Sequence, residues 1–481
     1  MFFRQVFDHK LAQYAYVIGC QKTGEAIVID PQRDIDTYDT IAAAEGLRII
    51  AVADTHIHAD YLTGMREYAE RGAKVYASKM GDDYWQYLWL PDSKYDFHLL
   101  SDGDVFKIGN IQFRAIHTPG HTPEHLIYEI TDLGGGADEP MGLATGDFVF
   151  VGDLGRPDLL ESAAGVAGAM EPSARVLYNS VQKFFDMPDY LQVWPGHGAG
   201  SACGKALGAV PESTVGYERR FNASISAAKG GEDAFVASIL EGQPEPPMYF
   251  ARMKRDNRQG PKVLGTLPTP REYSAEEIKA LAGDTSVALI DTRLDRSAFM
   301  ASHVPGAIYA PFDKTFNTIV GSYVEEGVPM VLLIDAHHVE EAVRDLVRIG
   351  LDDVVGFAPL ATLDAVLAGG TTASIEETDW SPVVDAYKTE ENCVLDVRKK
   401  SEFDPIHIPG AVNIAHTRLW ARYGEVPAGK KLWVHCRSGA RAAVAAALLK
   451  RNGHDVVYVN DAMDTWAAQH PTVSEHDAVA A

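Results

Sequence analysis

Histidines and acids gather at four places in the first half of the chain. These are His56, His58 and Asp60 in THIHADY, His121 in PGHT, Asp147 in TGD and His197 in PGHG. Imidazole and carboxylate are side chains that transition metals take as ligands. A single His-x-His is a weak signal. Four elements in this order, each behind a strand-like apolar run, can meet at neighbouring strand ends and point to a metal centre. A second chemistry lies near the C-terminus, where Cys436 stands in VHCRSGARAA between a strand-like run and an alanine-rich helical run. Backbone N–H groups in such a loop stabilise an anion. Arg437 and Arg441 add positive charge, which favours thiolate over thiol and makes the sulfur nucleophilic.

Alternating strands and helices must position these groups. AYVIGC and EAIVIDP flank the turn QKTG and read as a hairpin, DTYDTIAAAEGL as a helix, and RIIAVADTH as a buried strand running into a loop. HADYLTGMREYAERG has helical spacing and ends at glycine. The aromatic run DYWQYLWL reads as packing. Proline and glycine cluster after residue 255, so a linker is placed at 256–271. Beyond it the sequence repeats itself: DTRLDRSAFMASHVPGA starts at Asp291 and DVRKKSEFDPIHIPGA at Asp396. The domains expected are 1–255, a first repeat at 272–370 and a second at 375–481. Each repeat alternates strand and helix, as small α/β domains do. The first has LLIDAHHVEEAV at the place of the cysteine loop and no cysteine between Cys203 and Cys393, so it reads as catalytically silent.

The chain has 481 residues, 43 basic and 67 acidic side chains and a formal charge of −24. A field of that sign disfavours nucleic acid and anionic membrane surfaces. Four cysteines without a CxxC pair suit a reducing compartment, and a cytoplasmic location is expected. The start reads as no secretion signal, and no apolar run is long enough to span a bilayer.

The first constellation resembles the metallo-β-lactamase superfamily, and within it the glyoxalase II and persulfide dioxygenase branch. The resemblance implies a four-layer αββα sandwich. The family's binuclear pattern, THxHxDH, ends here at Tyr61. That departure suits the persulfide dioxygenases, which use one iron. Their ligand set, carried over by position, implicates His56, His121 and Asp147, a two-histidine, one-carboxylate facial triad for Fe(II) rather than zinc. His58, Asp60 and His197 then become orienting residues or alternative ligands. Arg156 in GDLGRPD is a candidate for binding a carboxylate of the thiol carrier, with a structural salt bridge as the other reading; Tyr61 is a second substrate-binding candidate. The second signal resembles the rhodanese family: CRSGAR, the DVR at Asp396–Arg398 and HIPGA at His407–Ala411 match its motifs.

The order of domains is similar to that of multidomain persulfide dioxygenase–sulfurtransferases. This implies oxidation of a low-molecular-weight persulfide by O2 to sulfite and thiol, with sulfur transfer through Cys436 that makes or uses thiosulfate. Cys203 and Cys20 are candidate sulfur relays, and Cys393 a buried core thiol. Related enzymes make a dimer or tetramer the expectation. Two other readings stay open: a binuclear zinc thioester hydrolase, and a non-enzymatic carrier or sensor of sulfane sulfur.

Overall fold

In the computed structural model, residues 1–162, 168–243 and 245–474 are described. The chain divides into Met1–Thr266 with Val347–Gly350, and Leu267–Leu346 with the described residues from Leu351 onward.

The first unit is built on two six-stranded sheets. One orders β1 (Phe2–Asp8), β2 (Gln13–Cys20), β3 (Glu25–Ile29), β4 (Arg48–Ala53), β5 (Lys74–Ser78) and β6 (Phe97–Leu100) edge to edge. The other contains β7 (Val105–Ile108), β8 (Ile111–His117), β9 (Leu126–Asp132), β10 (Gly142–Gly146), β11 (Gln192–Pro195) and β12 (Ser213–Thr214). Period-two alternation explains how they stack. On β2, Tyr14, Tyr16 and Ile18 meet Phe106, Phe113 and Tyr128 of the other sheet. Ala15 and Val17, one residue out of step, face Tyr38, Met65 and Tyr68 instead. Those three belong to, or border, the helices Asp36–Ala44 and Met65–Glu70. The far face of the second sheet is covered by Met170–Phe185, Val215–Phe221, Ala223–Ala228 and Glu232–Leu240, through Leu177, Val181, Phe184, Ile225 and Phe235. Each large apolar side chain so buried contributes about 1.5–3 kcal/mol. The result is the expected αββα sandwich.

The expected hairpin forms, with Gly24 at φ 73° in its turn. The helix read across HADYLTGMREYAERG starts only at Met65. Thr63 explains the late start: its N–H goes to Asn257 Oδ1 at 2.9 Å and its hydroxyl to Asp54 at 2.8 Å. The 256–271 stretch is not all linker, because the helix Phe250–Gln259 enters it and a strand, Arg271–Glu272, ends it.

The second unit holds two five-stranded parallel sheets. The first comprises β13 (Arg271–Glu272), β14 (Ala288–Asp291), β15 (Ile308–Tyr309), β16 (Met330–Leu333) and β17 (Val354–Ala358), in the order β13-β17-β16-β14-β15. The second comprises β18 (Glu376–Thr378), β19 (Asn392–Asp396), β20 (Val412–Asn413), β21 (Lys431–His435) and β22 (Asp455–Val459), in the order β18-β22-β21-β19-β20. The strand order is the same in both. The repeated motifs do the same work twice. Arg293 grips Asp291, and Arg398 grips Asp396. His303 donates to Phe299 O and stacks on Phe299; His407 does so with Phe403. Among the described residues no helix is long and apolar enough to cross a membrane.

Candidate metal centre and cysteine loop

The ends of β4, β8, β10 and β11 carry the four sequence elements into one place. Ligand atoms of His56, His121 and Asp147 lie within 4.8 Å of one another, all buried. His121 Nε2 is 3.5 Å from Asp147 Oδ2. Each imidazole is oriented from behind. His121 Nδ1 pairs with Arg156 O at 3.0 Å and His56 Nδ1 with Thr55 Oγ1 at 2.9 Å, which leaves both Nε2 atoms for the centre. Burial, then the nearby imidazoles, keeps His56 neutral well below its usual range; burial lowers His121 too. Neutral imidazole is the form that binds a metal. Both carboxylate oxygens of Asp147 are buried without a hydrogen-bond partner, a costly arrangement unless a cation meets them. The donor set therefore fits a transition metal.

Beside it, Asp60, His197 and Cys203 form another buried group within 4.8 Å. His197 Nδ1 pairs with Ala12 O, and its Nε2 faces Asp60 at 3.3 Å and Asp147 at 3.6 Å. Cys203 is thus brought to the centre. Burial, then the charges of Asp60 and Asp147, pushes its thiol well up.

Tyr61 and Cys20 depart from expectation, and for His58 and Arg156 the structure favours one of the two readings left open. His58 joins Asp30 and Asp54 rather than the ligand atoms of His56, His121 and Asp147, with its Nε2 3.1 Å from Asp30 Oδ1. Burial opposes its charge, yet Asp30 and Asp54 outweigh burial and hold it at about 9. Its ring packs 4.2 Å from that of His56, so it supports a neighbour rather than facing the centre. Arg156 does not face substrate: it is 1% exposed and committed to Asp158 at 2.9 and 2.6 Å and to Ala202 O at 2.8 Å. The salt-bridge reading holds for it. Tyr61 is fully buried, and its hydroxyl points to Asp30 O and Gln13. Cys20 sits at the far end of β2 from the turn that meets His197, roughly 23 Å away along the strand.

Asp30 and Asp54 have no reading from the sequence alone, while His125, which flanks His121, reads there as a structural or orienting residue. Asp30 and Asp54 follow apolar strands just as Asp147 does, which was the available signal. Asp30 stands at φ 53°, a left-handed conformation that non-glycine residues seldom adopt. His125 Nε2 takes the Asp147 N–H at 3.1 Å and fixes its backbone.

In the second unit Cys436 follows β21 and precedes the helix Ala440–Arg451. It is 1% exposed. Arg437 lies exposed at the rim. Arg441 departs from expectation, because Glu402 takes it bidentately at 2.6 and 2.9 Å and offsets its charge. In the first repeat Asp291 pairs with Leu333 as Asp396 pairs with His435. The next residue is Ile334 in one and Cys436 in the other. Cys393 is buried in β19, as expected.

A model of the metallo-beta-lactamase superfamily matches residues 10–197. A solved structure described as a metallo-beta-lactamase from Staphylococcus aureus subsp. aureus COL is 39% identical, with 75% of this chain and 98% of that chain covered and a TM-score of 0.65.

The chain belongs to the metallo-beta-lactamase superfamily.

Its C-terminal part carries a rhodanese-like domain, matched over residues 383–469. Among curated relatives, this metallo-beta-lactamase superfamily member is 31% identical over 306 residues to a "Beta-lactamase hydrolase-like protein" of Xylella fastidiosa (strain Temecula1 / ATCC 700964), which covers 58% of this chain and 64% of that protein. It is 28% identical over 198 residues to "Persulfide dioxygenase ETHE1, mitochondrial" of Bos taurus, which covers 40% of this chain and 67% of that protein.

Proposed function

We propose that the first unit holds one iron ion on His56, His121 and Asp147 and oxidises the terminal sulfur of a low-molecular-weight persulfide. The balance is RSSH + O2 + H2O to RSH and sulfite with two protons. The observation that carries this reading is the buried Asp147 carboxylate, without a hydrogen bond, facing imidazoles whose outer nitrogens are already engaged. Likeness to persulfide dioxygenases supports the substrate class. When bound, a ferrous ion supplies the redox chemistry that joins oxygen to sulfur. The chain's part is to hold neutral imidazoles in place, to fix Asp147 through His125 and to keep bulk water out.

In the rhodanese-like domain, Cys436 takes sulfane sulfur as a persulfide. Sulfite attacks the outer sulfur, the S–S bond breaks toward Cys436 as thiolate, and thiosulfate leaves. The reverse direction uses thiosulfate to form the persulfide. Cys203, beside the centre, is the remaining candidate for holding sulfur within the first unit.

A second reading rests on Asp60, His197 and Cys203, which together offer a second ion a seat next to the first. It gives a binuclear zinc thioester hydrolase. Elemental analysis with oxygen-electrode assays on several persulfides decides between them. One iron per chain and O2 uptake are expected. His121→Ala abolishes uptake, whereas Cys436→Ser keeps it and shifts the product toward sulfite. Two zincs with thioester turnover would overturn the proposal, and a Cys436→Ser shift toward thiosulfate would overturn the role of the cysteine.

A further inference from the structure

The cysteine-less repeat reaches the cysteine loop of its neighbour in the same unit. Arg296, at the start of the helix Arg296–Ala301, donates from Nη2 to Ser438 O at 3.1 Å. Two other loop carbonyls are also engaged. Cys436 O lies 3.4 Å from His435 Nδ1, and Arg437 O accepts the Met463 N–H at 2.9 Å. A trans peptide sets its N–H opposite to its C=O. Three carbonyls tied in this way fix the directions of the N–H groups of Arg437, Ser438 and Gly439. Among the described residues, none of those three N–H groups has a hydrogen-bond acceptor. They remain free to face an anion.

The contact is built, not incidental. Ser297, next to Arg296, donates to Glu377 at 2.9 Å, and Asn460 donates to the same carboxylate oxygen at 2.6 Å. Gly439 stands at φ 89°, and a Cβ there would meet Asn460 Oδ1 at 2.5 Å, Tyr458 Oη at 2.7 Å and Arg296 Nη2 at 3.3 Å. Glycine lets the loop pass beneath all three. Tyr458 Oη is buried without a hydrogen-bond partner. Because Glu402 already engages Arg441, Arg296 is a cation brought to the loop from outside its own repeat.

We propose that Arg296 is a positioning residue for the Cys436 loop: it pins the Ser438 carbonyl outward and biases the pocket toward anionic sulfur compounds such as thiosulfate and sulfite. The cysteine-less repeat thus has a task at its neighbour's site. This rests on the sulfurtransferase reading for its substrate, but the loop geometry can be tested without turnover.

The test compares alkylation of Cys436 by iodoacetate, an anion, with alkylation by neutral iodoacetamide, read on the Cys436 peptide by mass spectrometry in the full-length protein. Arg296→Gln should lower the iodoacetate-to-iodoacetamide rate ratio severalfold, and Arg296→Lys should restore most of it. In steady state Arg296→Gln should raise KM for thiosulfate by roughly tenfold, with a smaller change in kcat, short of the loss from removing a direct oxyanion donor. Arg451→Gln is the control. Arg451 also ties the repeats, through Gly306 O, Thr285 O and Val287 O, yet should leave the ratio unchanged. An unaltered ratio in Arg296→Gln, or an equal fall in Arg451→Gln, overturns the assignment. Absence of sulfur transfer in the unaltered chain would count against the sulfurtransferase reading alone, because the alkylation ratio stands apart from it.

Discussion

His416 links a single side chain to the acid stability of the rhodanese-like domain. Its Nδ1 is shut away from water without a partner. Burial, then the charges of Arg441 and Lys399, lowers it to about 3. An unfolded chain takes up that proton near the ordinary value of about 6.5. The stabilisation is therefore complete above the unfolded value and drains away as pH falls from there toward 3. Urea unfolding monitored in the second unit at pH 7 and pH 5 should show a loss of stability that His416→Gln reduces; equal losses would refute it. At this scale residue type was readable in the sequence and direction was not. For Arg156 the salt bridge was one of two readings open in GDLGRPD, and Asp158, two residues on, takes it; the orientation of Tyr61 is set by Asp30, which no spacing rule ties to it. His58 differs from His56 by two positions and faces another cluster, since the loop after β4 is irregular and carries no period to read.

Among the elements, the approach of the 152–158 loop to the end of β10 fixes the centre. A Cβ on Gly155 would come within 1.7 Å of Asp147 O and 3.2 Å of His121 Cβ. Gly155→Ala must push the loop or Asp147 aside, at a cost of about 1–3 kcal/mol. The expected outcome is a protein that purifies folded, by circular dichroism, with a reduced metal content; full metal occupancy would show that the strand end tolerates the shift. The elements themselves were largely legible. The hairpin of AYVIGC and EAIVIDP was readable from its turn, and the strand-end theme picked out His56, His121 and Asp147, whose ligand atoms the fold brings together. The helix start at Met65 was not legible. Its delay comes from Asn257, a partner 194 residues on, and sequence windows see only neighbours.

For the whole chain, a metal held at His56, His121 and Asp147 would be linked to folding. An ion that binds the folded first unit and not the unfolded chain stabilises it by about 2.7 kcal/mol at a hundredfold excess over Kd. Stripping the metal with a chelator should lower the melting temperature, and adding ferrous ion anaerobically should restore it. A melting temperature indifferent to metal would separate the centre from the fold's stability. The internal repeat was visible in the sequence as paired DTR/DVR and HVPGA/HIPGA motifs. The contact of Arg296 with Ser438 was not, because register along a chain says nothing about which repeat edge meets which loop. The same duplication has a practical side. With Ile334 at the place where its twin bears Cys436, the polypeptide includes its own blank. A probe that marks both halves reports on shared scaffold, and one that needs a thiol finds its target in the later half alone.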